Sequence, residues 1–228
     1  MRSTAIALAL LAAASTVLAQ AAKPELAIPS AANAVASIAK TEFGGKVAAG
    51  KQLAETKCFA CHGVDGLTAN FPAYPRLAGQ LQGYLYMQMA FFATGERQHP
   101  IMSAQIAGLT NQQLLDAAAY FSSLPAMQPM VSRASAAELA LGERLFRKGD
   151  PKRGLPACAA CHLASGQGQL PGFARIGGQH PLYMQGMLKL FKEKSEFTTP
   201  YAWIMNLVAT KLSPAEMKAV TEYASTLK

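Results

Sequence analysis

Three features are missing from this sequence, and each absence narrows what the chain can be. Beyond its N-terminus it has no apolar run long enough to cross a bilayer. It has no stretch of sustained apolar and polar alternation, so β-strands are not expected. It also lacks an array of arginines interleaved with aromatic residues, which argues against a nucleic-acid partner. Its 228 residues suffice for one mid-sized domain or two small ones.

The N-terminal residues are typical of a secretory signal. Arg2 supplies a positive charge, residues 5–14 form an apolar run, and the letters VLAQA offer small residues for cleavage after Ala19 or Ala21. We therefore predict a signal peptide over residues 1–19, with cleavage as late as residue 21, and a periplasmic mature protein. In an oxidising compartment, cysteine thiols normally form disulfides or some other bond rather than staying free.

Acidic residues are few, 13 against 21 lysines and arginines, and the imbalance is uneven. Residues 20–130 carry 7 basic and 6 acidic side chains, whereas residues 131–228 carry 13 and 7. The excess in the second half has two interpretations. It is either an ordinary solvated surface or a field that steers the chain toward an acidic partner.

The chain repeats itself. The letters FPAYPRLAGQ (71–80) match LPGFARIGGQ (170–179), and MSAQIAGLT (102–110) matches MNLVATKLS (205–213). Such self-similarity indicates duplicated structural units. Two homologous domains of about 80–90 residues are the economical interpretation.

Each copy is predicted to be helical. Thr110, Ser135 and Ser213 begin segments with the spacing of a capping box, which marks the start of a helix. Prolines and serines between the copies break helical periodicity. The predicted organisation is an Ala/Pro-rich arm (20–44), a first domain (45–124), a linker (125–134) and a second domain (135–228).

All four cysteines fall in two copies of Cys-x-x-Cys-His. The copies are Cys58, Cys61 and His62, and Cys158, Cys161 and His162. On a helical turn, residues i and i+3 point the same way, so two sulfurs reach one porphyrin edge and the histidine reaches the iron. This is the attachment pattern of c-type haem.

Other uses of these cysteines explain less of the sequence. A thiol redox centre needs only Cys-x-x-Cys, in a strand–helix context that is absent here. A four-cysteine zinc site does not call for a histidine after each pair, and two disulfides leave both histidines unexplained. Two covalently attached haem c groups are therefore the expected cofactors.

Met102 and Met205 are the candidates for the sixth iron ligand. Each follows its motif histidine by about 40 residues, and each precedes a capped helix by the same interval. We expect both to lie outside a helix, whereas other methionines of the domains lie on helices and pack. An iron held by histidine and methionine has no open position for substrate, which describes a carrier rather than a catalyst.

Together the letters GKQLAETKCFACHG and GDPKRGLPACAACH, two AGQ/GGQ…Y helices and two terminal AAYF/TEYA helices resemble the dihaem cytochrome c4 family, from about residue 40 to the end. The resemblance implies an all-α protein of two tandem class I cytochrome c domains, each a small helical fold wrapped around one covalently bound haem. It also implies that Gly50 with Tyr120, and Gly142 with Tyr223, mark the crossing of the first and last helices.

The same resemblance implies periplasmic electron transfer among redox proteins. The expected partners are a bc1-type donor and a haem–copper oxidase, sometimes with peripheral membrane association. The chain departs from the family pattern in two places. Leu163 replaces the glycine present at Gly63, and the letters KSEFTTPYAWIM before Met205 replace a more polar stretch.

Four supporting residues carry further hypotheses. The carbonyls of Pro72 and Pro171 are expected to accept the Nδ1–H of the two motif histidines. Arg76 and Arg175 are expected to bond haem propionates. The alternatives are ordinary turn prolines and ordinary surface arginines.

Two other functions compete with the carrier. One is an electron-transfer subunit of a dehydrogenase complex, such as a flavocytochrome sulfide dehydrogenase, which shares the sites and differs only in partner. The other is a dihaem redox enzyme, such as a peroxidase or a thiosulfate-oxidising cytochrome, which requires an accessible iron.

Overall fold

The computed structural model describes residues 44–68, 73–193 and 199–228. The expected signal peptide and the arm up to residue 43 lie outside these described residues. Within them the regular elements are helices, joined by loops with isolated β-bridges, which confirms the all-α expectation. In chain order the helices are α1 Val47–Leu53, α2 Phe59–His62, α3 Gln82–Thr94, α4 Pro100–Ile106, α5 Asn111–Ser123, α6 Ala136–Lys148, α7 Ala159–His162, α8 Pro181–Glu193, α9 Pro200–Ala209 and α10 Pro214–Ser225.

The three expected capping boxes are present and start α5, α6 and α10. Each hydroxyl of Thr110, Ser135 and Ser213 accepts a bond from the backbone N–H three residues later, at 3.2 Å. The side chain of that third residue bonds back to the cap N–H in every case. These reciprocal bonds satisfy donors that a helix N-terminus otherwise leaves unpaired.

The first and last helices of each domain cross at a glycine. Helix α1 packs against α5, and α6 packs against α10. A Cβ built on Gly50 would collide with the carbonyl of Asp116, and one built on Gly142 would collide with the carbonyl of Ala219. Glycine therefore permits a close approach of two backbones, as the resemblance implied.

Each domain has its own hydrophobic core. The first includes Leu114, Ala118 and Phe121 of α5, and the second includes Met217, Val220 and Ala224 of α10. These are the helical faces that the sequence periodicity predicts to be buried. Two separate clusters fit two small domains in tandem.

Met102 and Met205 lie within short helices, α4 and α9, so the expectation that they lie outside a helix was wrong. The cause is local. Pro100 and Pro200 occupy the first turn, where the missing N–H is harmless. His99 and Thr199 cap the two helices by accepting backbone N–H bonds.

The linker passes between the two domains and packs closely against both. A Cβ on Gly79 would collide with Ala126, and one on Gly178 would approach the carbonyl of Gln128 to 2.7 Å. Met127, between them, is buried. Gly79 and Gly178, which occupy equivalent positions of the two repeats, thus leave room for the linker between them.

Candidate functional site

Both Cys-x-x-Cys-His motifs occupy one short helix and the turn before it. Cys58 ends a π-helical turn, Ala54–Cys58, that leads into α2, and Cys158 caps α7. All four cysteines are half-buried free thiols. Burial raises the pKa of Cys58 and of Cys158 to about 11. Neither thiol therefore has the lowered pKa of a reactive redox cysteine.

The two motif histidines make equivalent bonds. His62 Nδ1 donates to the carbonyl of Pro75 at 3.1 Å, and His162 Nδ1 donates to the carbonyl of Ala174 at 2.9 Å. Burial lowers the pKa of both imidazoles, and the carbonyl bond opposes this only in part. A neutral ring that donates from Nδ1 keeps its lone pair on Nε2, which is the form that ligates a metal.

The expected acceptor in the second domain was wrong. Backbone bonds between Gln169 and Phe173 close a tight turn in both directions, which leaves Pro171 at its tip. The chain returns toward His162 only at Ala174, so that carbonyl accepts the bond. Pro72 lies outside the described residues, and the acceptor seen for His62 is Pro75.

The two candidate methionines are placed differently. Met102 is half-buried and packs against the first core cluster, as does Cys58. Met205 is also half-buried. The described residues that pack against the second cluster include Cys158 and Val208 but not Met205. The structure therefore brings Met102 to the same cluster as Cys58, whereas Met205 is not among the described residues packed on the second cluster.

A chain of aromatic rings links α9 to the second motif. The rings of His162 and Phe173 lie 6.3 Å apart, and those of Phe173 and Tyr201 lie 6.0 Å apart, both edge to face. Gly172 makes room for the Tyr201 ring, because a Cβ there would meet it. Since Tyr201 precedes Met205 by one helical turn, these contacts hold the methionine-bearing helix beside the motif.

Both predicted arginines reach across to the other domain. Arg76 donates from Nη1 to the carbonyl of Gly178 at 2.9 Å, and Arg175 donates from Nε to the carbonyl of Gly79 at 3.0 Å. Sequence reasoning missed these contacts. The two arginines and two glycines occupy matching positions of the quoted segments, but the repeat alone does not indicate that the two copies meet there.

The donor set fits a covalently held haem in each domain. Two thiols on one helical turn and a neutral histidine with its Nε2 lone pair free are the required groups. A buried nitrogen adds to the fit, because among the described residues Arg76 Nε has no hydrogen-bond partner. A cation with an unused buried donor suits an anionic group such as a haem propionate.

Leu163 adopts the backbone conformation of its glycine counterpart. Its φ is 66° and ψ is 165°, compared with 69° and 153° at Gly63. This region is strained for any residue with a Cβ. The departure from the family pattern therefore changes the residue and not the path of the chain.

The helices of the described part of the chain include none long and apolar enough to cross a membrane.

Comparisons with known proteins agree with this donor set. The family model described as Cytochrome c matches residues 47–125 and 139–228. The chain is 39% identical to cytochrome c4 of Pseudomonas aeruginosa over 180 residues, covering 78% of this chain and 87% of that protein. It is 36% identical over 171 residues to a thiosulfate dehydrogenase electron acceptor of Thiomonas intermedia, covering 73% and 76%.

Solved structures give the same picture. Reduced recombinant cytochrome c4 from Pseudomonas stutzeri superposes with a TM-score of 0.74 at 36% identity, covering 81% of this chain and all of the other. Thiosulfate dehydrogenase from Marichromatium purpuratum superposes with a TM-score of 0.72 at 32% identity, covering 80% of this chain and 40% of that one. The chain therefore belongs to the cytochrome c family, and within it to the dihaem cytochrome c4 proteins that transfer electrons, with one haem c attached covalently through each Cys-x-x-Cys-His motif.

Proposed function

We propose that this chain is a periplasmic carrier that takes single electrons from respiratory-chain donors and passes them to a terminal oxidase or another acceptor. The observation that carries the proposal is the equivalence of the two sites. In each, a buried histidine donates its Nδ1–H to a backbone carbonyl, that of Pro75 or that of Ala174. Two sites built alike suit two one-electron steps of the same kind.

We propose His62 and Met102 as the iron ligands of the first domain, and His162 and Met205 as those of the second. When bound, each haem supplies a one-electron iron couple. The protein fixes the ring plane of each histidine through its carbonyl bond, and the methionine thioether would help to hold the iron of a bound haem and keep small ligands from it. Met102, packed on the first core, is the better supported of the two methionines.

The remaining proposals concern the surroundings of the sites. Arg76 is proposed to bond a haem propionate through its buried Nε. Arg175 is proposed to do the same with its Nη groups, since its Nε donates to the carbonyl of Gly79. Export to the periplasm is proposed from the N-terminal signal, and the domain limits 45–124 and 135–228 from the repeat.

A second candidate function is a dihaem electron-transfer partner of a dehydrogenase. Relatives named as thiosulfate dehydrogenase electron acceptors favour it, one at 36% and another at 33% identity. This candidate has the same two haems and the same ligands. It differs in its electron donor, which would be a thiosulfate-oxidising enzyme.

The test is a redox titration of the purified full chain, followed by its spectrum. We expect two haems per chain and, in the oxidised protein, the thioether–iron charge-transfer band at the red end of the visible spectrum. A chain that lacks this band and binds carbon monoxide at both irons would support a redox enzyme instead. Rapid reduction by a purified thiosulfate dehydrogenase with thiosulfate would favour the second candidate.

A further inference from the structure

The outer face of α9 is apolar and exposed. Trp203, the single tryptophan of the chain, is 61% exposed, and Leu207, one turn later, is 45% exposed. At 3.6 residues per turn, both lie about 160° around the helix from Met205. Ala202 and Ala209, on the methionine side, are buried. The apolar pair is thus directed away from the proposed iron ligand and away from the core.

The first domain does not have this feature. When the two repeats are aligned on Met102 and Met205, Pro100 takes the position of Trp203 and Ala104 takes that of Leu207. Both of these smaller residues are exposed. The helix can therefore carry its methionine without a large apolar outer face. Large exposed aromatic and aliphatic side chains are typical of protein contact surfaces.

Positive charge continues this stripe. Lys211 follows Leu207 by one turn and is exposed. Its Nζ donates to the carbonyl of Arg153 at 3.1 Å, and Arg153 Nη1 donates to the carbonyl of Lys211 at 3.2 Å. These two bonds tie the end of α9 to residues 147–154, the basic segment that precedes the second haem motif.

The net charge of this region is positive. Arg153 is paired with Asp150 at 2.8 Å and with Glu216 at 2.6 Å, so these three groups together carry one net negative charge. Lys152 is exposed in the same segment, beside Arg153. The ammonium groups of Lys152 and Lys211 outweigh that charge. They belong to the two segments that the bonds between Arg153 and Lys211 join at the end of α9, the helix that carries the apolar pair.

We propose that this face is the docking surface for an acidic redox protein, whose apolar contact patch covers Trp203 and Leu207 while its carboxylates face Lys152 and Lys211. Charge complementarity selects this occupant, because two copies of the same basic face repel each other. A helix is about 10 Å across, so a partner seated here is separated from Met205 by one helix. The inference rests on the proposed carrier role and assigns exchange with this partner to the second domain.

The test uses the full haem-loaded chain and a defined surface: a gold electrode coated with a mixed monolayer of carboxylate- and methyl-terminated alkanethiols. Adsorbed protein and the rate of electron exchange are measured for Trp203→Ala and Leu207→Ala. Because central aromatic contacts dominate binding, we expect Trp203→Ala to lower the electron-exchange rate about tenfold or more. Lys152→Gln with Lys211→Gln should flatten the dependence of that rate on salt.

The matched control is Ile101→Ala, which removes a 44% exposed side chain from the equivalent helix of the first domain. It should leave the electrode rate unchanged. Equal losses for Ile101→Ala and Trp203→Ala, or no loss for either, would overturn the assignment.

Two further measurements separate this inference from other occupants and from the carrier role. A dimer in sedimentation velocity that Trp203→Ala dissociates, or binding to phosphatidylglycerol vesicles that Trp203→Ala abolishes, would assign the face elsewhere and overturn the proposal. The haem content and the thioether–iron band of every variant are recorded first. Absence of that band together with carbon monoxide binding at both irons of the unmodified chain would refute the carrier role, whereas an intact band with no effect of Trp203→Ala would refute only the docking surface.

Discussion

Gln179 of the second domain binds both backbone polar groups of Arg76 in the first. Its Oε1 accepts from the Arg76 N–H at 2.8 Å, and its Nε2 donates to the Arg76 carbonyl at 2.9 Å. Gln80 makes the same pair of bonds to Arg175 in the opposite direction, at 2.8 and 2.9 Å. Both glutamines are buried. The domains are therefore joined by a reciprocal, two-fold-like set of hydrogen bonds.

Replacing Gln179 by alanine should weaken the joint between the domains. The Arg76 N–H and carbonyl would lose their partners in a buried interface, where an unsatisfied polar group costs about 1–3 kcal/mol. We expect a lower midpoint in urea unfolding. The control is Gln98→Ala, since Gln98 is exposed and bonds only to the neighbouring Gly95 carbonyl. An unchanged midpoint for Gln179→Ala would mean that these bonds contribute no net stability.

Gly142→Ala should strongly destabilise the second domain. The new methyl group would meet the Ala219 carbonyl where α6 crosses α10, and forced overpacking costs about 1–3 kcal/mol or more. The same substitution at Gly186 in α8 meets no atom within 4 Å. There it should stabilise the helix by about 0.5–1 kcal/mol. Thermal unfolding of both variants checks the opposite signs.

Leu163→Gly should relieve backbone strain. Placing a residue with a Cβ at this φ and ψ destabilises the folded state by about 1–3 kcal/mol. Glycine removes that strain, but its greater freedom in the unfolded chain offsets up to about 1 kcal/mol of the gain. A modest rise in the unfolding temperature of the second domain is expected. The reverse change, Gly63→Leu, should lower that of the first domain. If Leu163→Gly also lowers stability, contacts of the leucine side chain outweigh the strain.

Met102→Ala should open one of the two irons. With the thioether gone, that iron should bind carbon monoxide and its potential should fall, because thioether ligation favours the reduced state. Carbon monoxide titration should then reach half of the haem. Met89→Ala is the matched control, since Met89 is also half-buried against the first core. Unchanged carbon monoxide binding in Met102→Ala would remove it as a ligand.

Glu216 should make the second domain sensitive to acid. Its bond to Arg153 is the main cause of a pKa lowered from 4.5 to about 2. Because the folded-state pKa lies below the unfolded one, the stabilisation is complete above pH 4.5 and is lost as the pH falls toward 2. The difference in unfolding temperature between the unmodified chain and Glu216→Gln should therefore shrink over that range.

A suitable control for this titration is Glu143→Gln. Glu143 is paired with Arg147 across one exposed helical turn, and such pairs contribute little. Its substitution should produce only a small change in the unfolding temperature. A difference for Glu216→Gln that persists undiminished at pH 2 would contradict the assigned role of the Arg153 bond.

The sequence by itself determined the features that are encoded locally. The motif around Cys58 and the capping boxes at Thr110 and Ser213 each depend on residues a few positions apart. Such signals act within one turn or at one contact point, so the residue types alone predict them. The two haem sites and the helical fold followed from them.

Only the tertiary structure decided which groups meet across long separations. The acceptor for His162 is Ala174 and not Pro171, because the path of a turn sets which carbonyl faces the ring. Gln179 bonds to Arg76 from 103 positions away. No local pattern encodes such a contact, since it depends on how two separately folded domains pack against each other.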